Sequence, residues 1–139
     1  ADCPFFIHNK PSYVTGIGEK INSINLDLSG KFLMVIYPQI HINTREAFAN
    51  IKIRKTAGDL LNILDTIPIN KWKNHIFNDF EPYVFSVFPE IAEIKSELYR
   101  AGADYASLSG SGSAVYAFFE NEITIPEKLK PYFVYTQFL

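Results

Sequence analysis

The sequence predicts an α+β sandwich, in which helices pack on one face of an antiparallel sheet. Apolar runs typical of strands occur at residues 32–37, 105–108, 114–119 and 132–139. Helical patterns fill much of the chain between the first run and the second, whereas only a short turn separates the second run from the third. A strand, then helices, then a strand pair and a final strand favour this class over a parallel sheet.

The amino-acid composition predicts a globular protein and argues against nucleic acid and membranes as partners. The chain has 139 residues, which fits one domain, and 47% of them are apolar, which predicts a folded globular protein. A net charge of −2 gives no electrostatic reason to expect nucleic acid as a partner. No apolar run approaches the roughly 20 residues that a membrane span needs, so no membrane partner is expected.

The single cysteine and the first residues bear on location and processing. Cys3 cannot form an internal disulfide, which is consistent with a reducing cytoplasm. The first residues include neither an initiator methionine nor the basic segment of a signal peptide. We therefore expect a cytoplasmic protein and interpret the chain as a fragment or a processed product.

The first half of the chain contains two strand candidates and one helix start. Residues 13–15 form a short strand candidate that the glycines at positions 16 and 18 end with a turn. Residues 32–37 are continuously apolar and predict a buried strand that ends before Pro38. A helix is predicted to begin at Asn43 or Thr44, because Asn43 and Glu46 have the spacing of a capping box.

The second half predicts further helices. Residues 57–77 are partly helical in pattern, with Pro68 as an interruption. Residues 78–81 repeat the capping-box spacing, and the helix they begin is predicted to continue over residues 83–88. A second helix starts at Pro89 and ends near Gly102, and residues 126–130 predict a short helix. The helix that starts at Pro89 is predicted to bury one apolar stripe, which contains Ile91, Ile94 and Leu98.

Small, flexible residues separate the two strand-like runs at 105–108 and 114–119. In Ser109-Gly110-Ser111-Gly112-Ser113, the glycines allow positive φ, successive backbone N–H groups can surround an anion, and the hydroxyls add donors. We interpret this glycine loop, residues 109–113, as a candidate phosphate-facing loop. It is neither a Walker A loop nor a dinucleotide fingerprint. The alternative is a tight turn that only joins two strands.

The order of the motifs resembles a known family. Asp2-Cys3-Pro4-Phe5-Phe6, Gly16-Ile17-Gly18-Glu19, the segment from Thr44 to Phe48, Asn78-Asp79-Phe80-Glu81-Pro82 and the glycine loop follow one another. This order is similar to the C-terminal half of the GHMP kinases, in particular the branch that phosphorylates the 2-hydroxyl of 4-diphosphocytidyl-2-C-methyl-D-erythritol in the non-mevalonate isoprenoid pathway. The resemblance covers most of the chain and fades over residues 50–76 and after Glu120.

The resemblance implies a fold, a domain division and cofactors. It implies a ferredoxin-like C-terminal domain over residues 31–139, preceded by the end of an ATP-binding N-terminal domain over residues 1–30. In that family, the main ATP loop and a catalytic lysine precede the position of Asp2. The intact enzyme would therefore use ATP and Mg²⁺, and the N-terminal half would be a partner of this chain. We expect the isolated chain to have little or no kinase activity.

The resemblance also implies roles for individual residues. Asp2 matches the family's catalytic aspartate, which takes the proton of the reacting hydroxyl. Thr44 and Phe48 match residues that contact the cytidine part of the substrate, although Arg45 stands where many relatives have proline. Residues Gly110, Ser111, Gly112 and Ser113 match a loop that supports the phosphate region.

Alternatives stand beside these assignments. Asp2 could be an exposed charge near a chain end, Phe48 a helix core residue, and Asn78 and Asp79 are interpreted first as a helix cap. The chain could belong to a GHMP kinase that acts on homoserine, mevalonate or a sugar, or to a non-catalytic ferredoxin-like binding module. The three histidines are too scattered to predict a metal site, so no metal-binding residues are predicted.

Overall fold

A computed structural model describes residues 3–54 and 59–139, with the backbone alone at residues 3 and 4. It has an antiparallel main sheet and a run of helices between two of its strands, which is an α+β fold and confirms the predicted class. The helices are α1 (Cys3–His8), α2 (Thr44–Asn50), α3 (Leu60–Thr66), α4 (Glu81–Val87) and α5 (Pro89–Arg100). The strands are β1 (Ser12–Thr15), β2 (Lys20–Ser23), β3 (Phe32–Tyr37), β4 (Tyr105–Leu108), β5 (Val115–Phe119) and β6 (Phe133–Phe138). Two 3₁₀ turns span Ile69–Asn74 and Glu127–Leu129.

The main sheet has the strand order β4-β5-β3-β6, and every neighbouring pair is antiparallel. The helical crossover from β3 to β4 skips one position, which β5 fills, and the crossover from β5 to β6 passes over β3 in the same way. This is the split βαβ arrangement of ferredoxin-like folds, which confirms that expectation. The register places Ile36 opposite both Val115 and Val134.

The second crossover contains a 3₁₀ turn where the sequence predicts a short helix over residues 126–130. The turn is held by Leu129, which is 1% exposed and packs into the core. Its hydrogen bonds run from Leu129 N–H to Pro126 C=O and from Lys130 N–H to Glu127 C=O, and the helix does not continue because Pro131 has no N–H to donate.

The core lies between one face of the main sheet and the helices. Alternate residues of β3 and β5 point to this face, because successive side chains of a strand point to opposite sides. The apolar stripe of α5 packs against them and is fully buried, as the sequence predicts. The core members with at most 1% exposure include Met34, Ile36, Ile91, Ile94, Leu98, Val115, Ala117 and Phe119.

The opposite face of the sheet is more open but is covered at the β4 edge. Leu33 and Val35 of β3 are half-buried there. The 3₁₀ turn Ile69–Asn74 places Trp72 against Tyr105, with ring centroids 5.8 Å apart and nearly perpendicular planes. Tyr105 is consequently buried although it faces away from the main core.

Residues 12–23 form a separate two-stranded hairpin of β1 and β2. Gly16 and Gly18 have φ values of 73° and 104° in its connection, as expected for the predicted turn. The sequence does not predict β2, because Ile21 is its only apolar residue and the strand is mostly exposed. It does not predict α1 either, since six residues are too few to show a helical period.

Candidate active site

The N-terminal end of α2 places Thr44 and Phe48 on one side of a helix. Asn43 caps this helix, and its side-chain oxygen accepts a hydrogen bond from the Glu46 N–H at 3.2 Å, which confirms the predicted start. Because Thr44 and Phe48 are four residues apart, their side chains lie on the same face. Thr44 is the first residue of α2 and is exposed.

Phe48 presents an open aromatic ring. It is 61% exposed, so the alternative in which it is a core residue is wrong. The ring of Phe80 supports it from the protein side, with ring centroids 5.0 Å apart and the planes at 89°. This edge-to-face contact fixes the ring of Phe48 and leaves most of it accessible, a geometry suited to stacking with a planar group.

The glycine loop connects β4 to β5. It is closed by two backbone hydrogen bonds, from Ser109 N–H to Ala114 C=O at 2.8 Å and from Gly112 N–H to Ser109 C=O at 2.9 Å. Gly110 and Gly112 have φ values of 57° and 94°, a region that residues with a Cβ rarely adopt. The loop therefore needs glycine at both positions for its backbone conformation.

The glycine loop lies against the start of α2. A Cβ on Gly112 would come within 2.8 Å of Ile42 Cδ1 and 3.0 Å of Leu108 Cδ1. Ile42 is buried and immediately precedes the cap residue Asn43. The structure thus brings the loop next to the helix that carries Thr44 and Phe48, although more than 60 residues separate them along the chain.

The serines of the loop differ in exposure. Ser109 is exposed and Ser111 is half-buried, so their hydroxyls are available to a ligand. Ser113 is 4% exposed, and within residues 3–54 and 59–139 its Oγ has no hydrogen-bond partner. The structure therefore encloses Ser113, whereas Ser109 and Ser111 reach the loop surface.

Residues 78–81 hold the base of the glycine loop. The side-chain nitrogen of Asn78 donates to the carbonyls of Leu108 and Gly110 at 2.9 and 2.8 Å, while its oxygen accepts from Phe80 N–H at 2.9 Å. Glu81 accepts from Leu108 N–H at 3.0 Å and pairs with Lys95 at 2.7 Å. The predicted capping box is wrong here, because the N-cap of α4 is Phe80 and the carboxylate of Glu81 binds Leu108 and Lys95 instead.

A shallow cavity of about 580 Å³ lies beside these contacts, between residues 76–80 and the open face of the sheet. Tyr105, Ser107 and Tyr116 contribute to its wall. Burial raises the pKa of both tyrosines above the usual value for a phenol. Both side chains are therefore neutral near pH 7 and act as hydrogen-bonding groups rather than as bases.

Asp2 lies outside the described residues, so its role remains a prediction. Across the part of the chain that the structure describes, no three His, Cys, Asp or Glu side chains are grouped so that they could hold a metal ion. No helix in that same part is long and apolar enough to cross a membrane.

The sequence predicts Thr44, Phe48 and the glycine loop as site residues but misses the contacts that support them. The loop lies against Ile42, which precedes the helix that carries Thr44 and Phe48. Ile42, Phe80 and the amide of Asn78 are not predicted to support them. The motif at residues 78–81 contains both Asn78 and Phe80 and is the signal that could have identified them. We interpret that motif first as a helix cap.

Several curated relatives carry one name. A protein from Azobacteroides pseudotrichonymphae is 49% identical over 120 residues, covering 86% of this chain and 45% of its own length. One from Bacteroides thetaiotaomicron is 48% identical over 127 residues, covering 91% of this chain and 46% of its own length. Both are named 4-diphosphocytidyl-2-C-methyl-D-erythritol kinase. The chain spans less than half the length of these relatives.

Solved structures share the fold. A crystal structure of 4-(cytidine 5'-diphospho)-2C-methyl-D-erythritol kinase aligns with a TM-score of 0.68 at 24% identity, covering 86% of this chain and 44% of that one. A homoserine kinase from Cytophaga hutchinsonii aligns with a TM-score of 0.61 at 15% identity, covering 84% of this chain and 44% of that one. At these identities the alignments show the fold alone.

The sequence profile of one family matches the chain directly. The family described as GHMP kinases C terminal matches residues 53–130, which is more than half of the chain and includes residues 78–81 and the glycine loop. The fold that the chain shares with the two solved structures is consistent with that match. The chain belongs to the family of GHMP kinase C-terminal domains.

Proposed function

We propose that the intact protein is an ATP-dependent kinase that phosphorylates the 2-hydroxyl of 4-diphosphocytidyl-2-C-methyl-D-erythritol. The relatives that share up to 49% identity with this chain carry the name of that kinase. This chain would be its C-terminal, substrate-side part, and its single cysteine is consistent with a cytoplasmic location.

The observation that carries the proposal is the open ring of Phe48, on a helix whose start lies against the glycine loop. An exposed ring held by a second aromatic ring suits a flat nucleobase, because stacking on an aromatic side chain is favourable for every base. A neighbouring loop in which the hydroxyl-bearing Ser109 and Ser111 reach the surface suits phosphate groups, because hydroxyls donate hydrogen bonds to anions. A cytidine diphosphate derivative contains both kinds of group, and Thr44 would add a hydroxyl contact to it.

ATP and Mg²⁺ belong to this proposal as cofactors of the intact enzyme. Most of the ATP site would lie in the part of the relatives that this chain does not cover. Residues 1–30 would complete that N-terminal domain, and residues 31–139 would form the C-terminal domain. A divalent cation would neutralise charge on the transferred phosphate. The role of residues 109–113 would be to support the phosphate region with backbone groups.

Asp2 is proposed as the catalytic base. A carboxylate within hydrogen-bond distance of the substrate hydroxyl can orient it and accept its proton as the oxygen attacks the γ-phosphate of ATP. The hydroxyl oxygen gains a bond to phosphorus, and ADP leaves with the electrons of the broken bond.

The test is a phosphorylation assay of the intact protein with ATP and three candidate alcohols. We expect turnover of 4-diphosphocytidyl-2-C-methyl-D-erythritol and little turnover of homoserine or mevalonate. Asp2→Asn should reduce kcat by roughly 100-fold or more, because general-base catalysis contributes about that much. Residues 1–139 alone should show almost none of the intact protein's activity.

Each alternative result would remove a specific part of the proposal. Preferential turnover of homoserine or mevalonate would keep a GHMP kinase and discard the cytidine substrate. Full activity of Asp2→Asn would remove Asp2 as the base. Turnover by residues 1–139 alone would contradict the requirement for an N-terminal domain.

A further inference from the structure

Asn78 uses its whole side chain to connect three backbone groups. Its nitrogen donates to the carbonyls of Leu108 and Gly110, and its oxygen accepts from the N–H of Phe80. A neutral amide is the side chain of this size that offers two donors and an acceptor together. A helix cap would need the acceptor alone, so the two donated bonds require another explanation.

Asn78 binds one carbonyl just before the glycine loop, that of Leu108, and one within the loop, that of Gly110. Two backbone hydrogen bonds close the loop itself, and neither uses the carbonyl of Gly110. A carbonyl bonded to Asn78 is directed towards residues 78–81. Because a carbonyl oxygen repels phosphate, the direction of these two groups determines whether the loop presents N–H groups or oxygens to an anion.

The neighbours of Asn78 hold adjoining parts of the same site. Glu81 accepts from Leu108 N–H, so both backbone groups of Leu108 are bonded to residues 78–81. Lys95 pairs with Glu81 and fixes its carboxylate. Phe80 supports the ring of Phe48 on α2. One four-residue segment therefore contacts both the glycine loop and the aromatic ring proposed to bind the base.

We propose that Asn78 is a positioning residue, which fixes the glycine loop in the conformation that supports phosphoryl transfer. It acts through the carbonyls of Leu108 and Gly110 and touches no substrate. Phe80 positions the ring of Phe48 in the same way, and Glu81 positions Leu108 at the end of β4. The catalytic consequence rests on the proposed function, whereas the effect on the loop does not.

The first test is hydrogen exchange of the intact protein with Asn78→Asp. This change keeps the oxygen that binds Phe80 N–H but replaces both donors by an acceptor that faces two carbonyls. The exchange of the Ser109 and Gly112 amides should accelerate by roughly tenfold or more, while that of core amides such as Met34 changes little. Asn78→Ser removes both amide N–H donors and leaves one shorter hydroxyl, which cannot bind both carbonyls at once; it adds no charge and serves if Asn78→Asp does not fold.

Asn62→Asp is the matched control. Asn62 lies exposed on α3, and among the described residues its side chain makes no hydrogen bond. The substitution Asn62→Asp introduces the same charge through the same change of atoms as Asn78→Asp. It should leave the hydrogen exchange of the glycine-loop amides unchanged. Unchanged loop exchange in both Asn78 variants, or equal acceleration in the core, would overturn the positioning role.

The second readout is the division between kcat and KM. Misplacement of a supporting loop should lower kcat by roughly tenfold or more and change the KM for the alcohol substrate by less than about threefold. A change in KM alone would contradict the proposal and indicate a binding role. If the wild type phosphorylates no cytidine substrate but the loop exchange still accelerates, the proposed function fails and the positioning of the loop stands.

Discussion

Gly112 combines two constraints at one residue. Its φ of 94° is unfavourable for residues with a Cβ, and the space where a Cβ would lie is already occupied by Ile42 and Leu108. Gly110 shares only the first constraint, since nothing lies within 4 Å of its Cβ position. The two glycines of the loop should therefore respond differently to the same substitution.

Gly112→Ala should lower the free energy of unfolding by about 2–4 kcal/mol, because backbone strain and overpacking add. Gly110→Ala should lower it by about 1–2 kcal/mol through backbone strain alone. Urea unfolding of both variants measures the difference. Equal losses would show that the packing of Gly112 against Ile42 does not limit the loop.

Residues of the site differ in how well the sequence predicts them. Phe48 and the glycine loop are predicted as site residues because they match motifs in a recognisable order. The amide of Asn78 is not, because its partner Gly110 is 32 residues away and a backbone carbonyl leaves no trace in a residue pattern. The assignment of Glu81 to a capping box fails for the same reason, since its partners come from β4 and α5.

At the scale of elements, β4 is an edge strand whose free side is covered by side chains. The hydroxyl of Tyr99 on α5 donates to Ala106 C=O at 3.2 Å and accepts from Ala106 N–H at 3.1 Å. Glu81 and Asn78 bind the N–H and the C=O of Leu108. These contacts satisfy the backbone groups that an edge strand leaves unpaired, so β4 is protected from pairing with another strand.

Tyr99→Phe should lower the free energy of unfolding by about 1–3 kcal/mol, because both backbone groups of the buried Ala106 lose a partner. The amide of Ala106 should also exchange faster. Tyr37→Phe is the control, since among the described residues the hydroxyl of Tyr37 makes no hydrogen bond and the side chain is 47% exposed. A loss in Tyr99→Phe no larger than in Tyr37→Phe would show that the edge does not depend on the hydroxyl.

The strength of an element's apolar pattern decides whether the sequence predicts it. β3 and α5 are predicted because their apolar residues are continuous or regularly spaced and all face one core. β2 is missed because its stability comes from pairing with β1 and only Ile21 carries an apolar signal. The turn Glu127–Leu129 is shorter than predicted because Pro131 has no N–H with which to add the next helical hydrogen bond.

At the scale of the whole molecule, the residue patterns predict an α+β class, and the resemblance to a family supplies the ferredoxin-like strand order. That order matters for function because it places the end of β4, the start of β5 and the end of β3 at one end of the sheet. The glycine loop and the segment leading to α2 emerge there. The strand order thus brings the glycine loop and α2 to the same end of the sheet. Residues 78–81 contact both the loop and Phe48 of α2.

The same topology provides a matched pair of exposed phenylalanines. Phe48 is 61% exposed and packs on Phe80 near the glycine loop. Phe138 is 57% exposed and packs on Phe32, at the other end of the main sheet. Removal of either ring costs one aromatic contact, but only Phe48 lies where a cytidine base is proposed to bind.

The proposed cytidine site is therefore tested by steady-state phosphorylation of 4-diphosphocytidyl-2-C-methyl-D-erythritol by the intact protein, with Phe48→Ala and Phe138→Ala compared side by side. Loss of a base-stacking ring worth about 1–3 kcal/mol should raise the KM for this substrate by roughly tenfold or more in Phe48→Ala. Phe138→Ala should leave that KM unchanged. An unchanged KM in Phe48→Ala, or an equal rise in both variants, would contradict the assignment of this surface as the cytidine site.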